Sequence, residues 1–405
     1  CQFIEYIYEK IVSALNFSAV NFVPTHKVNF YKFWWSQELD ILKDKAIESD
    51  KIWKASGRPR SGPIYGKRNA DKRAYKTAIH KSQSESAEAF SNDLHEALLA
   101  KRGKQFWKSW NSKFGKTSSN CRQVDGLTDH QQIADKFQQH FAKLSSAVVD
   151  EGATALLDNY SKLRPDYIGS AYLKEQLFDA ELIENVIGGM KRGKAAGLDN
   201  LTAEHLHHCH QILPCVLAKL FNLIMYNGYV PNGFGRSYTV PLQKGDKRCT
   251  KYLTTDDFRG ISISPVLSKV FEHCVLDRYS DFLVTADNQF GFKKSVGCSH
   301  AIYSARSVIN HYVAGGSTVN ICALDIRKTF DQMPHVGLYL KLMRRNVPLN
   351  LLCVIENWFQ KCYTCVKWFS VLSSFFKLQC GVRQGGVLSP QFFAVYIDDI
   401  ITEIA

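Results

Sequence analysis

One acidic residue in this chain directly follows a run of apolar residues. Val319 to Leu324 has the length and composition of a buried strand, and Asp325 comes next. The end of a strand holds a side chain in a fixed direction, and a carboxylate held there can bind a hard cation such as Mg²⁺. The alternative is that Asp325 only caps a following helix. The apolar flank favours the metal-binding interpretation.

Two cations flank a stretch that is typical of a turn. Lys244 precedes and Arg259 follows Gly245-Asp246-Lys247, a run of turn-forming residues. An arginine side chain suits phosphate because its planar fork donates two parallel hydrogen bonds. Lys244 and Arg259 are therefore candidates for binding a phosphorylated ligand. An ordinary surface hairpin is the alternative interpretation.

A glycine-rich stretch lies close to the end of the sequence. Gly381 to Gly386 reads Gly-Val-Arg-Gln-Gly-Gly, and Leu388-Ser389-Pro390 follows. Gly385 lets the backbone come close to another group, and the amide of Gln384 can form hydrogen bonds with a ligand. Ser-Pro is also typical of a helix start, so a generic glycine turn before a helix is the alternative.

Six such segments follow one another after residue 190. They are KRGKAAGLDNLTAEHL (Lys191–Leu206), VPLQKGDKR (Val240–Arg248), DDFRGISISPVLSKVFE (Asp256–Glu272), NQFGFKKSVGCSHA (Asn288–Ala301), ALDIRKTFDQM (Ala323–Met333) and GVRQGGVLSPQFFAVYIDDI (Gly381–Ile400). In this order and at these separations, they resemble the reverse transcriptases of LINE-type (non-LTR) retrotransposons. The resemblance covers Asp179 to Ala405. It extends more weakly to the tryptophan-bearing region from Trp34, which looks like the linker between an endonuclease and a polymerase.

The resemblance implies Mg²⁺-dependent addition of deoxynucleoside triphosphates to a DNA primer on an RNA template. Asp325 is then the first catalytic aspartate and a metal ligand, and the main-chain carbonyl of Ile326 adds a ligand. Phe330 would lie under the sugar and exclude a 2′-hydroxyl, a role that is compatible with a core position. The family pattern Asp-x-x-Lys-Ala-Phe-Asp has Ala where this chain has Thr329.

The same resemblance assigns the remaining nucleotide-binding residues. Lys244 and Arg259 match the positions that bind the triphosphate. Gln384 would form a hydrogen bond with the nucleotide or its neighbour, and Gly385 would let the backbone approach a base pair. These residues together with Phe330 form the predicted nucleotide site.

The second metal-ligand motif of this family is an aromatic-Ala-Asp-Asp hairpin, some tens of residues beyond the Arg-Gln-Gly stretch. The sequence ends at Ala405, before such a hairpin. Tyr396-Ile397-Asp398-Asp399 looks similar, but it follows Gln384 too closely and continues an apolar run with a helical period. We therefore expect the chain as given to be catalytically incomplete and to lack the thumb.

Composition indicates an anionic partner. The 405 residues carry a net charge of +13, and the isoelectric point is about 9.1. Such a surplus favours nucleic acid over an acidic membrane, although a merely basic soluble protein remains the alternative. No apolar run approaches the roughly 18 residues of a membrane-spanning helix. The 12 cysteines have no framework spacing, and the Cys362/Cys365 pair and the His205–Cys215 cluster are interpreted as incidental.

The region from Phe33 to Phe114 has a polar, basic and helical pattern. Gly57 to Gly66 divides it into two predicted helices. In the second of these, Arg68, Lys72 and Lys76 recur every four residues and share a basic face, with Arg73 close by. That face is equally well explained as a track for a phosphate backbone or as a solvated helix surface.

We predict an α+β fold with polymerase fingers and an incomplete palm, preceded by a mostly helical basic extension. The expected divisions are residues 1–30 as the tail of an upstream region, 31–178 as the basic linker and 179–405 as the reverse transcriptase domain. A non-catalytic RNA-binding relic or domesticated fragment is the first alternative; a maturase or another palm polymerase and a basic helical scaffold protein are less favoured. The family lifestyle implies a cytoplasmic ribonucleoprotein that acts in the nucleus, and an endonuclease upstream is possible.

Overall fold

The computed structural model describes residues 1–23, 35–103, 106–107, 110, 123–147, 150–171, 177–244, 253–326, 328 and 330–404. The chain separates into two units, one formed by residues 24–121 and the other by residues 1–23 and 122–405. The domain boundaries expected at residues 30 and 178 differ from this division and stay a prediction.

Helices make up most of the described chain. They are α1 (Gln2–Phe22), α2 (Gln37–Ala55), α3 (Pro63–Leu99), α4 (His130–Leu144), α5 (Glu151–Leu163), α6 (Ala180–Gly189), α7 (Ala203–His207), α8 (Leu213–Asn227), α9 (Asn232–Gly235), α10 (Val266–Arg278), α11 (Cys298–Ala314), α12 (His335–Arg344), α13 (Leu349–Gln360) and α14 (Ser389–Ile404). None of the described helices is both long and apolar enough to cross a membrane.

One mixed sheet of five strands lies in the larger unit. Its strands are β1 (Arg236–Gln243), β2 (Phe258–Ile263), β3 (Tyr363–Trp368), β4 (Val371–Leu372) and β5 (Phe376–Lys377). The order is β2-β1-β3-β4, and β5 also pairs with β3. β1 is antiparallel to β2 and parallel to β3. The helices with this sheet confirm the coarse α+β prediction.

The unit of residues 24–121 contains a pair of helices that pack on each other, α2 and α3. The predicted break between them is confirmed, because α2 ends at Ala55 and α3 begins at Pro63. Gly57 and Gly62 in the connection have φ of +78° and +96°, backbone conformations that glycine adopts without strain. Proline at the first position of α3 lacks only an N–H that would have no helical partner.

The core of the larger unit is rich in aromatic side chains. Phe221, Phe234, Phe271 and Trp358 bring α8, α9, α10 and α13 together, with ring centroids 5.1 to 6.5 Å apart in the contacting pairs. Tyr8 of α1 packs edge-on against Phe234, at 5.5 Å between ring centroids. Burial of these large apolar surfaces is the main stabilising contribution to this unit. The segment predicted to be the tail of an upstream region therefore contributes to this core.

Two helices of the larger unit begin at capping aspartates. The carboxylate of Asp129 accepts a hydrogen bond from the N–H of Gln132 at 2.9 Å, at the start of α4. The carboxylate of Asp179 likewise accepts from the N–H of Leu182 at 2.8 Å, at the start of α6. Each of these bonds satisfies a helix N–H that has no partner within its own helix.

The strand expected from Val319 to Leu324 is wrong for this structure. The backbone from residue 317 to 326 is irregular, and the side chains of Ile321 and Leu324 are 72% and 86% exposed. Among the described residues, no strand runs beside it to pair with its backbone N–H and C=O groups. An apolar run alone does not make a strand, because the ladder hydrogen bonds require a neighbour.

Candidate active site

A cavity of about 390 Å³ lies in the larger unit, beside α4, the β1–β2 hairpin and the start of α14. Four side chains that the sequence analysis selected line it: Lys244, Arg259, Phe330 and Gln384. They come from positions up to 140 residues apart in the sequence. The fold therefore brings most of the predicted nucleotide site together around one open space.

The β1–β2 hairpin positions the two cations that were predicted to bind phosphate. Arg259 pairs in register with Leu242, so it lies close to Lys244 just beyond the end of β1. The Lys244 backbone N–H donates to the Asp257 carbonyl, and its Nζ donates to the Asp256 carbonyl, both at 2.8 Å. The Arg259 side chain is exposed and forms no hydrogen bond or ion pair with the described residues. Its guanidinium is therefore available for an anionic ligand.

Aromatic rings form the apolar side of the cavity. The Phe330 ring lies 5.9 Å from that of Phe292, edge to face, and 5.3 Å from that of Phe393. Phe330 is only partly buried, and all three rings line the cavity. It thus combines a packing contact with exposure to the cavity, and its contact with the sugar stays a prediction. Thr329, the departure from the family pattern, lies outside the described residues.

Asp331 lines the cavity although the sequence analysis did not select it. Its Oδ1 accepts a long hydrogen bond from Gln384 Nε2, at 3.5 Å. Burial raises the pKa of this carboxyl above its usual value, while the Gln384 hydrogen bond and the charges of Lys328 and Lys244 oppose that shift. The sequence feature that could have identified Asp331 is its position as the last aspartate of the Asp-x-x-Lys-x-Phe-Asp pattern.

Two further cationic or titratable side chains line the cavity and were also missed. Lys328 is exposed there, three residues after Asp325. His140 comes from α4, and its Nε2 lies 3.9 Å from Asp256 Oδ1. Burial lowers the pKa of His140, which favours its neutral form. No motif around residue 140 could have indicated this, because it depends on how α4 packs against the sheet.

Gly385 is required by a contact inside the protein. Its φ is +119°, and a Cβ placed there would lie 2.5 Å from the carbonyl oxygen of Ser262 in β2. The neighbouring Gln384 carbonyl accepts a hydrogen bond from the Ser262 N–H at 2.7 Å. The predicted close approach to a base pair stays a prediction, whereas the close approach to β2 is seen directly.

Asp325 and the carbonyl of Ile326 are the predicted Mg²⁺ ligands. Asp325 is exposed and does not line the cavity. Magnesium takes six oxygen ligands, usually one or two carboxylates with waters and substrate phosphates. In the part of the chain that the structure describes, no group of three His, Cys, Asp or Glu side chains could hold a metal ion. Asp325 therefore fits one corner of a Mg²⁺ shell, and these residues do not form a complete metal site.

Comparison with known proteins relates part of this chain to a protein family. Residues 242–405 match a family model described as reverse transcriptase (RNA-dependent DNA polymerase). The RNA-directed DNA polymerase from the mobile element jockey of Drosophila melanogaster is 26% identical over 230 residues, covering 55% of this chain and 24% of that protein. The Pol polyprotein of the retrotransposable element R2DM from the same species is 25% identical over 188 residues, covering 46% of this chain and 17% of the relative.

Residues 242–405 therefore form a reverse transcriptase region, and its relatives come from non-LTR retrotransposons. The chain spans about a quarter or less of the length of these relatives. The matched region contains the end of β1, all of β2, the irregular segment ending at Asp325 and the Gln384 stretch.

Within this region, Tyr396 to Asp399 lies in α14, as the helical period predicted. Asp398 is 8% exposed; its Oδ1 accepts the Ala286 N–H at 2.8 Å, and its Oδ2 accepts from Arg345 Nη2 at 2.6 Å. Asp399 pairs with Lys341 and, at 3.4 Å, with Arg344. Both carboxylates thus connect α14 to its neighbours and do not line the cavity.

The basic face of α3 lies in the unit formed by residues 24–121. Arg68 donates from Nε to Asp50 Oδ1 at 2.7 Å and lies 3.8 Å above the centre of the Trp53 ring. Arg68 therefore ties α3 to α2. Lys72, Arg73 and Lys76 are exposed. Their role in binding nucleic acid stays a prediction, as does that of Arg68.

Proposed function

We propose that this chain provides the nucleotide-binding fingers and part of the palm of an RNA-directed DNA polymerase. The reaction is template-directed addition of a deoxynucleotide to a primer 3′-end. The observation that carries the proposal is the cavity lined together by Lys244, Arg259, Phe330 and Gln384. Membership of the reverse transcriptase family gives the reaction class.

The cavity offers a different chemistry on each side. Lys244, Arg259 and Lys328 suit the triphosphate, because cations in a partly desolvated site neutralise its charge most effectively. The edge of Phe330 suits the sugar, and the amide of Gln384 suits a base or its neighbour. Mg²⁺, when bound, would supply charge neutralisation at the reacting phosphate, with Asp325 and Ile326 as candidate ligands.

The nucleic-acid partners in this proposal are an RNA template and a DNA primer. Lys72, Arg73 and Lys76 on the exposed face of α3 would contact phosphates, with Arg68 holding the helix in place. Assembly with RNA in the cytoplasm and action in the nucleus, with or without an upstream endonuclease, belong to the same proposal.

Nucleotide binding is the direct test. A fluorescent deoxynucleoside triphosphate is titrated with the wild-type chain, with Arg259→Ala and with Arg306→Ala, an exposed arginine on α11. Loss of one charge-assisted phosphate contact is expected to weaken binding about tenfold or more in Arg259→Ala only. Equal affinities for the three proteins would contradict the proposed site.

Primer extension tests whether this chain completes the reaction. Wild type, Asp325→Ala and Asp398→Ala are incubated with a primed RNA template, Mg²⁺ and deoxynucleotides. We expect no extension by any of them, because the described residues form no complete metal site. Extension that both substitutions abolish would assign Asp398 to the metal and overturn its structural role.

A second candidate function is RNA binding without catalysis. The exposed basic face of α3 and the net charge of +13 favour it. It predicts RNA binding that weakens with salt, together with no measurable binding of deoxynucleotides. The nucleotide titration therefore separates the two functions.

A further inference from the structure

A buried carboxylate on α10 contacts the glycine-rich loop that carries Gln384. Glu272 is 3% exposed. Its Oε2 accepts hydrogen bonds from the N–H of Val387 at 2.6 Å and from the N–H of Leu388 at 3.0 Å. These two residues directly precede α14, where backbone N–H groups point away from the helix and attract negative charge. The carboxylate therefore holds the end of the loop through two charge-assisted hydrogen bonds.

The beginning of the same loop, residues 381–388, is held by other parts of the chain. The N–H of Gly381 donates to the Met333 carbonyl, and the N–H of Val382 donates to the Phe330 carbonyl, both at 2.7 Å. In the middle of the loop, the Ser262 N–H donates to the carbonyl of Gln384. The loop is thus bonded at its start to the segment of Phe330, at its centre to β2 and at its end to Glu272.

The end of the loop is tightly packed around Gly386. A Cβ on Gly386 would lie 2.5 Å from Ser389 Oγ and 3.3 Å from Glu272 Oε2. Arg383 lines the same small cavity, of about 20 Å³, as Glu272, and its Nη1 donates to the Phe234 carbonyl at 2.9 Å. A nearby cation and two N–H donors make burial of the Glu272 charge tolerable.

We propose that Glu272 is a positioning residue of the nucleotide site. By fixing the backbone of residues 384–388, it sets where the Gln384 side chain enters the cavity. Glu272 does not line that cavity, so it acts through Gln384 and not on the nucleotide. The effect of Glu272 on nucleotide binding rests on the proposed function. The clamp, meaning the two hydrogen bonds from Val387 and Leu388 to Glu272, does not depend on it.

Hydrogen exchange followed by mass spectrometry tests the clamp without nucleotide. Glu272→Ala is compared with Glu272→Gln, which keeps an oxygen acceptor, and with Asp277→Asn, an exposed acid on the same helix. We expect the peptide covering residues 381–389 to lose protection about tenfold in Glu272→Ala and to regain most of it in Glu272→Gln. Unchanged exchange in that peptide would overturn the proposal, as would an equal increase over the whole chain. If Glu272→Ala does not fold, Glu272→Asp, which is one methylene shorter, takes its place.

A double-mutant cycle tests the action through Gln384. Glu272→Ala, or Glu272→Asp, is expected to weaken deoxynucleotide binding about tenfold in the wild-type background and not at all in a Gln384→Ala background. If the two substitutions weaken nucleotide binding by factors that multiply in the double mutant, Glu272 acts independently of Gln384, which contradicts the proposal. If the wild-type chain binds no deoxynucleotide, the proposed function fails, and hydrogen exchange still decides whether Glu272 clamps the loop.

Discussion

At the scale of single residues, Gly385 brings the loop of Gln384 close to strand β2. Replacing Gly385 by Ala forces a Cβ against the Ser262 carbonyl at a φ that L-residues rarely adopt. We expect a loss of about 1–3 kcal/mol in the free energy of unfolding. Urea denaturation monitored by circular dichroism measures it. Gly291→Ala, at an ordinary φ and with open space around the added methyl, is the matched control; an equal effect of both substitutions would contradict the close contact.

His335 makes stability depend on pH. Its Nε2 donates to the Gly381 carbonyl, and its ring stacks on Phe359 with centroids 4.5 Å apart. Burial lowers the pKa of His335 below 6.5, although the hydrogen bond to Gly381 opposes this. The unfolded chain therefore binds a proton more readily than the folded chain, so this contribution to stability is present above pH 6.5 and is lost as the pH falls.

The matching experiment compares wild type with His335→Gln between pH 5 and pH 7. The unfolding free energy of the wild type should gain at most about 1.4 kcal/mol per pH unit from this group, and the variant should lack that gain. Taking the difference between the two proteins removes the opposite contribution of buried acids such as Asp331, whose pKa is raised. Parallel pH profiles would show that His335 does not titrate in this range.

At the scale of elements, α14 is anchored by two carboxylates of unequal burial. Removing Asp398 leaves Arg345 and the Ala286 N–H without this partner in a mostly buried position. We expect Asp398→Ala to cost about 3 kcal/mol of unfolding free energy. Asp399→Ala should cost about 0–1 kcal/mol, because that carboxylate is 38% exposed and solvent screens its ion pairs. Chemical denaturation of the two variants measures both losses of unfolding free energy. A metal-binding role for Asp398 would not predict that its substitution causes the larger loss.

Another lesson at this scale comes from residues 317–326. Side-chain pattern reports which face an element would bury, but a strand also needs a neighbouring backbone. The helices α4 and α6 were predictable because their caps and apolar periods are local. The strand before Asp325 was not, because nothing in its own residues specifies a partner.

At the scale of the whole molecule, the positive charge predicts salt-dependent binding of RNA. On single-stranded RNA, each lost phosphate contact should reduce the slope of log affinity against log salt by about 0.7. We expect Lys76→Gln on α3 to show this change and Lys51→Gln, an exposed lysine on α2, to show none. Filter binding over a series of salt concentrations measures both slopes. Identical slopes for Lys76→Gln and the wild type would remove that lysine from the interface.

The sequence was informative about the family, the coarse α+β fold and four side chains of the cavity. These predictions depend on motifs whose residue types all suit the same chemistry. His140 and the core position of α1 were missed for a different reason. Both depend on tertiary packing between segments far apart in the chain, such as Tyr8 of α1 against Phe234. Periodicity within α1 indicates an apolar face and does not indicate what covers it.

The parallel pairing of β1 with β3 has a consequence for the order of folding. Thr239 lies opposite Val366 of β3, 127 residues later, whereas its partner in β2 is Ser262, only 23 residues later. Closing the long loop costs more conformational entropy and is slower than forming the hairpin. During synthesis, Lys244 and Arg259 can thus become neighbours well before the loop of Gln384 leaves the ribosome. Affinity for the nucleotide should accordingly appear only in the last kinetic phase of refolding, after the hairpin has formed.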